Sequence, residues 1–241
     1  MAGTRTPLFI AVVSQNVEQA RLLLQAGVDV RELSGNPPWT SLRMAVFRGN
    51  PYMVELLMRY GADPIERIDR NMTFLHLNAE NLVDHENNES ERRLTEVARL
   101  LIQHGVDVSA RENRGFTALQ MAARNCHVAM VGVMLDCQDV DPEQRATDGL
   151  GTHPDGQTAE EMVTHLLAMK LAMATPGDIA LGINMGDIDA TREILAMLRA
   201  EPVRRQERRA AFAMALIPRL GVASPVADLE PGLVRMVLES P

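Results

Sequence analysis

A chain of 241 residues that is 46% hydrophobic, 23% charged and only 3% aromatic has material for one long domain or two small ones. A core poor in rings and rich in Ala, Leu and Met suits packed helices. The net charge of −8 argues against a general nucleic-acid or membrane-surface binder, because phosphate-rich surfaces repel an acidic body.

In chain order, the first apolar run is PLFIAVV (7–13), after Arg5. It is short for a signal peptide and no small-residue cleavage site follows at Gln15 and Asn16, so it reads as a buried helix. Thr6 before it can cap a helix through its hydroxyl, and Pro7 fits the first helical position. The plan then recurs: TPLFIA (6–11), TSLRMA (40–45), TFLHLN (73–78) and TALQMA (117–122), at Thr-to-Thr steps of 34, 33 and 44 residues. Each of the first three is followed by a second apolar helical stretch and a glycine stop at Gly27, Gly61 or Gly105, where a left-handed residue can end the helix. Ala11, Ala45 and Ala122 allow neighbouring helices to approach closely. In the fourth unit Gln138 stands where the stop glycine is expected. The third unit carries 11 extra residues between its helices, within DHENNESERRLTE (84–96), too polar to bury much surface and expected as a solvated loop.

These repeats, and GVDVSARENRGFTALQMAA (105–123) above all, closely resemble the ankyrin repeat. The resemblance is clear over about 4–142 and weaker beyond. There DGQTAEEMV (155–163) looks like a fifth opening after the insertion DGLGTHPDG (148–156), and INMGDIDATREILAML (183–198) like half of a sixth, with Gly186 in its turn. It implies an all-α ankyrin-repeat solenoid of helix–turn–helix units and projecting hairpin loops over 4–200, followed by a helical C-terminal extension over 201–241. Only His76 keeps the family's usual histidine; Phe9, Arg43 and Gln120 replace it elsewhere. Single units cannot bury their own apolar faces, so they must stack.

The resemblance also implies where a partner binds. The residue before each capping Thr lies on the hairpin at the edge of a concave face, and this column reads Trp39, Met72, Phe116 and Gln157. Hairpin-tip positions add Asp69, Arg70, Asn113 and Arg114, and the ends of the first helices add Phe47, Arg48 and Arg124. Trp and Arg dominate the binding energy of many interfaces, and Trp39 and two Phe residues fall in these columns although the chain has only eight aromatic residues. These residues form the candidate protein-binding strip. The alternative is that Trp39 and Phe116 fold back to shield the hairpin bases.

Chemistry is not supported. Cys126 and Cys137 are too few for a disulfide framework and suit a reducing, intracellular setting, cytoplasmic or nuclear. Cys126 and His127 have no second Cys/His pair to complete a metal site, and no CxxC occurs. His85 with Glu86, and His153 with Asp155, fall on polar insertions, and GLG (149–151) has no Walker lysine. No catalytic residue, metal or cofactor is expected.

Past the sixth unit, Arg204, Arg205, Arg208 and Arg209 suit a solvated helix face or a nuclear-import signal. ADLEPGLVRMVLE (227–239) resembles the opening of an F-box through Leu229, Pro231, Leu233, Val234, Met236 and Val237, although Glu230 interrupts the Leu–Pro pair. Such an end implies recruitment of a ubiquitin ligase subunit; a short amphipathic helix covering the last repeat is the simpler alternative. Lys170 is the only lysine among 24 basic residues, which suits a protein beside ubiquitin machinery and equally a GC-rich genome. The expected function is a non-catalytic adaptor or regulator that binds protein, with transcription coregulation as one role and substrate recognition for a ubiquitin ligase as the alternative.

Overall fold

Four threonines begin four short helices: α1 (Pro7–Val13), α3 (Ser41–Phe47), α5 (Phe74–Glu80) and α7 (Ala118–Arg124). Thr6, Thr40, Thr73 and Thr117 all hold extended backbone, and each hydroxyl accepts the N–H three residues on, as a cap should. Thr73 with His76, and Thr117 with Gln120, close full capping boxes. The computed structural model describes residues 5–35, 37–81, 88–137, 139–145, 158–173, 188–201 and 204.

Each short helix is followed by a second: α2 (Val17–Gln25), α4 (Pro51–Arg59), α6 (Asn88–Gln103) and α8 (Val128–Leu135). Asn16 and Asn50 cap α2 and α4 through their side-chain oxygens. The stop glycines Gly27, Gly61 and Gly105 take φ of 87°, 92° and 81°. Within a unit the two helices pack together; between units α1, α3, α5 and α7 form one row and α2, α4, α6 and α8 another. Ala11, Ala45 and Ala122 are fully buried. Hairpin loops between units are closed by antiparallel bridges Ser34–Trp39, Ile68–Met72 and Arg111–Thr117. The architecture is an all-α repeat solenoid.

A further helix begins at Thr158, whose Oγ1 accepts from Glu161 N and whose N donates to the Glu161 carboxylate. This helix, α9 (Ala159–Met173), extends the first row by packing on α7, and is 15 residues long. A further helical run covers 188–201. The chain divides into two units, Met1–Leu195 and Ala196–Pro241, and the described residues of the second, 196–201 and Arg204, are helical. Gln138, Gly186 and the insertion 148–156 lie outside the described residues.

The third unit departs from expectation. Residues 88–96 of the polar insertion are not loop but the first turns of α6, which is 16 residues long. Glu89 and Glu91 occupy its first turn, where the helix dipole favours acids, and Arg92 pairs back to Glu89 at 3.0 Å. Two tertiary anchors hold the extension. Asn78 sits fully buried where other units carry the small alanine, and its Nδ2 donates to Leu94 O at 2.8 Å. Glu91 accepts from the backbone N–H of Ala129 at 2.9 Å. The N-cap residue of α8, His127, makes no side-chain cap, so Glu91 caps that helix from the neighbouring unit. Glu91→Ala is expected to lower stability by about 1 kcal/mol, while Glu91→Gln retains most of it, read from urea denaturation midpoints. Equal midpoints for wild type and Glu91→Ala would remove this role.

Candidate interface

The best-built part of the strip centres on Trp39. The bridge to Ser34 fixes its backbone, and α3 presents Arg43 and Phe47 one turn apart on the same face. The Arg43 guanidinium lies 4.2 Å from the Trp39 ring centroid, a cation–π stack, and Phe47 meets Trp39 edge-on with centroids 5.6 Å apart. Arg43, only 12% exposed, also reaches Asp69 on the next hairpin at 2.6 Å. One side chain thus ties the Trp39 ring to the following loop. Phe47 remains 45% exposed and Arg48 beside it is exposed. Trp39 is half-buried and its indole N–H has no hydrogen-bond partner.

In the next unit Arg70 and Asn71 adopt left-handed backbone at φ of 61° and 59°, and Arg70 pairs with Glu80 at 2.7 Å. Met72 does not fit the expected strip. It is 2% exposed, turned into the core by the tight turn before it, with its sulfur 3.5 Å from Arg70 Nη2. Burial of an unbranched apolar chain explains this, and Met72 serves as packing. Asn113 N donates to Arg70 O at 2.9 Å, joining successive hairpins.

Phe116 is half-buried, midway between the two expected roles. Its carbonyl accepts from His76 Nε2 at 3.0 Å and from Glu112 N at 3.0 Å, so its backbone is an inter-unit anchor. Asn113, Arg114 and Arg124 are exposed. Among the described residues Arg48, Arg114 and Arg124 make no ion pair. An acidic protein therefore carries exposed arginines without ion pairs at a hairpin, Arg114, and at the ends of two first helices, Arg48 and Arg124. Gln157 and the tail residues Leu229, Pro231, Leu233, Val234, Met236 and Val237 lie outside the described residues, as do His85, Glu86, His153 and Asp155.

Arg43 is the residue that sequence reasoning missed. It stands in the column of His76 and Gln120, both buried, and a long cation in a buried column was the available signal.

Cys126 is buried at the α7–α8 turn, with Sγ 3.4 Å from Thr191 Oγ1. Burial, helped by Asp136 and Asp139, raises the Cys137 thiol above its ordinary pKa, which disfavours the nucleophilic thiolate. Among the described residues no group of three or more His, Cys, Asp or Glu is placed to hold a metal ion, and no helix is long and apolar enough to cross a membrane.

Comparison with known proteins agrees with this architecture. A family model described as ankyrin repeats in three copies matches residues 42–146, and a single ankyrin repeat model matches 4–34. Nuclear factor NF-kappa-B p105 subunit from Gallus gallus is 30% identical over 184 residues, covering 71% of this chain and 17% of that protein. NF-kappa-B inhibitor cactus from Drosophila yakuba is 28% identical over 153 residues, covering 54% and 30%. Ankyrin repeat and SOCS box protein 6 from Mus musculus is 40% identical over 100 residues, covering 42% and 22%. The chain thus spans less than a third of the length of these curated relatives.

Proposed function

The chain belongs to the ankyrin repeat family, whose members are protein-interaction modules, and from that premise we propose that it is a non-catalytic adaptor or regulator holding a protein partner along its hairpin-bearing edge. The observation that carries this reading is the Trp39–Arg43–Phe47 cluster. Trp39 is covered by Arg43, which is itself tied to Asp69, and is met edge-on by Phe47, so its ring is held in place next to the exposed Arg48 and little ordering entropy opposes binding. The unpaired Arg48, Arg114 and Arg124 favour an acidic segment on that partner. Regulation of a transcription factor is the pathway we favour. Two relatives are named as an NF-kappa-B subunit and an NF-kappa-B inhibitor, and the latter name describes this kind of control. Such a protein would act inside the cell, in cytoplasm or nucleus.

The test is an affinity capture from cell extract, comparing the full chain with a Trp39→Ala, Phe47→Ala, Arg114→Ala variant and with Tyr52→Ala on the other row of helices. Circular dichroism first verifies that each is folded. At least one captured regulatory protein is expected to be lost with the triple variant and kept with Tyr52→Ala. The reverse pattern would move the interface to the α4 side.

A second reading, a substrate adaptor for a ubiquitin ligase, draws on the relative whose name includes a SOCS box and on the near absence of lysine. Its handle would be residues 227–239. Co-purification of ligase subunits that disappears when Leu233 and Val234 are changed to Asp would establish it, and capture unchanged by those substitutions would refute it.

A further inference from the structure

At the turn-side end of the strip, between the second and third units, a recess of about 160 Å³ opens beside Phe47. Its walls come from Arg48 and Gly49 after α3, Asn81 after α5, and Ser90, Arg93 and Leu94 in the first turns of α6. The helical conversion of the insertion creates it, because Ser90 and Arg93 would not be held there by a loop.

The polar lining consists almost wholly of donors. Arg48 and Arg93 contribute guanidinium groups, Asn81 a carboxamide and Ser90 a hydroxyl, and among the described residues no carboxylate lines the recess. Arg93 Nε and Asn81 Nδ2 are shielded from water and have no hydrogen-bond partner. Buried donors left unmet cost about 1–3 kcal/mol each, and in native proteins they mark places where a water, an ion or a ligand supplies the acceptor. A larger groove of about 320 Å³ lies on the other side of Arg93 and carries Glu55, Glu89 and Glu96. Glu55 and Glu89 are already paired to Arg59 and Arg92, and Arg93 makes no ion pair with Glu96. Among the described residues no carboxylate pairs with Arg93.

We propose that this recess is an oxyanion site for a phosphate monoester borne on a side chain of the bound protein. Two guanidinium groups, an amide and a hydroxyl offer more donors than one carboxylate can use, whereas a phosphate dianion has three peripheral oxygens to accept them. The site continues the strip through Phe47, whose other edge packs on Trp39. It deepens the partner-binding reading by naming the chemistry that one end of the interface accepts, and it rests on that reading only for the source of the phosphate.

The experiment uses the full chain with three probes in isothermal titration calorimetry and thermal unfolding at constant ionic strength. They are inorganic phosphate, a short phosphoserine peptide, and the same peptide with Glu in place of phosphoserine. Phosphate is expected to raise the unfolding temperature beyond a chloride control, and the phosphoserine peptide to bind more tightly than its Glu counterpart. Arg48→Ala, at an exposed position, is expected to weaken phosphate binding about tenfold, the loss of one charge-assisted pair. Arg93→Met keeps the packed stem and is expected to do the same, while Tyr52→Ala changes nothing. Phosphate behaving as chloride does, or binding that survives both Arg variants, overturns the site; a Glu peptide that binds as tightly overturns the phosphate assignment. Inorganic phosphate needs no partner protein, so its failure to bind, with capture still dependent on Trp39, Phe47 and Arg114, sinks this inference alone. Phosphate binding with no captured protein lost would sink the interface reading alone.

Discussion

Gly49→Ala is expected to lower the free energy of unfolding by about 2–4 kcal/mol, one of the largest single effects in the molecule. Gly49 ends the α3 turn at φ of 59°, where an L side chain costs roughly 1–2 kcal/mol. A Cβ built there would lie 2.8 Å from Leu94 Cδ2, nearer than van der Waals contact allows. Leu94 is buried and its backbone is held by Asn78, so relief requires a rotamer change or a shift of α6. Gly27→Ala separates the two contributions. Gly27 has a φ of 87° and nothing within 4 Å of an added Cβ, so only the backbone cost of about 1 kcal/mol applies. Urea midpoints at unchanged m-value measure both. Equal losses at the two sites would mean that Leu94 moves aside freely and that the α3–α6 contact is soft.

His76→Ala is expected to cost about 2–4 kcal/mol, through lost hydrogen bonds and an empty volume. The imidazole is fully buried. Nδ1 accepts from Thr73 N at 3.3 Å and lies 2.8 Å from the Thr73 hydroxyl, while Nε2–H donates to Phe116 O across the unit boundary. Both ends are used only in the neutral Nε2–H tautomer, because a proton on Nδ1 would face the Thr73 N–H. Burial lowers the His76 pKa below its ordinary 6.5, and the hydrogen bond to Phe116 only partly opposes this. The unfolded chain therefore takes up a proton near pH 6.5 while the folded chain still refuses it. Stability is full above that pH and declines as pH falls through 6.5 towards the folded value. His76→Gln is expected to flatten this acid slope and to restore much of the stability at pH 7.5. Gln120 shows the fit in the fourth unit, where Oε1 accepts from Thr117 N and Nε2 donates to Gln144 O, both at 2.8 Å. An acid slope unchanged in His76→Gln would assign it to other groups.

Most of the repeat was legible in the sequence because capping is local. A hydroxyl that bonds the amide three residues on needs no tertiary context, and the same holds for Pro7 and for the stop glycines. The position nine residues after each capping Thr was less legible. Gln15 and Cys126 take left-handed backbone at φ of 55° and 61°, where Gly49 stands in the second unit, and neither residue type announces this. The polar insertion misled because its composition reads as loop, while its order comes from partners far along the chain: Asn78 at Leu94 and Ala129 at Glu91. Met72 misled for a related reason. Its column faces outward in the family pattern, but here the left-handed pair Arg70–Asn71 turns the chain inward. The recess around Arg48 and Arg93 could not be read at all, since it exists only once α6 is extended.

The links between neighbouring units are unevenly spread. The third and fourth are joined by His76 to Phe116 O, Asn125 to Ala79 O, His127 to Asn81 O and Ala129 to Glu91. The first and second are joined by Thr6 N to Ser34 Oγ at 2.8 Å and by Arg31 to Gly61 O at 3.3 Å, the latter on an exposed edge. In a stack whose stability is a sum over nearest-neighbour seams, such a distribution makes the array behave as a stiff keel with a compliant bow. Amide hydrogen exchange is therefore expected to be faster in α1 and α2 than in α6 to α8, with the Trp39 cluster, at the start of the second unit, on the inner side of the fraying end.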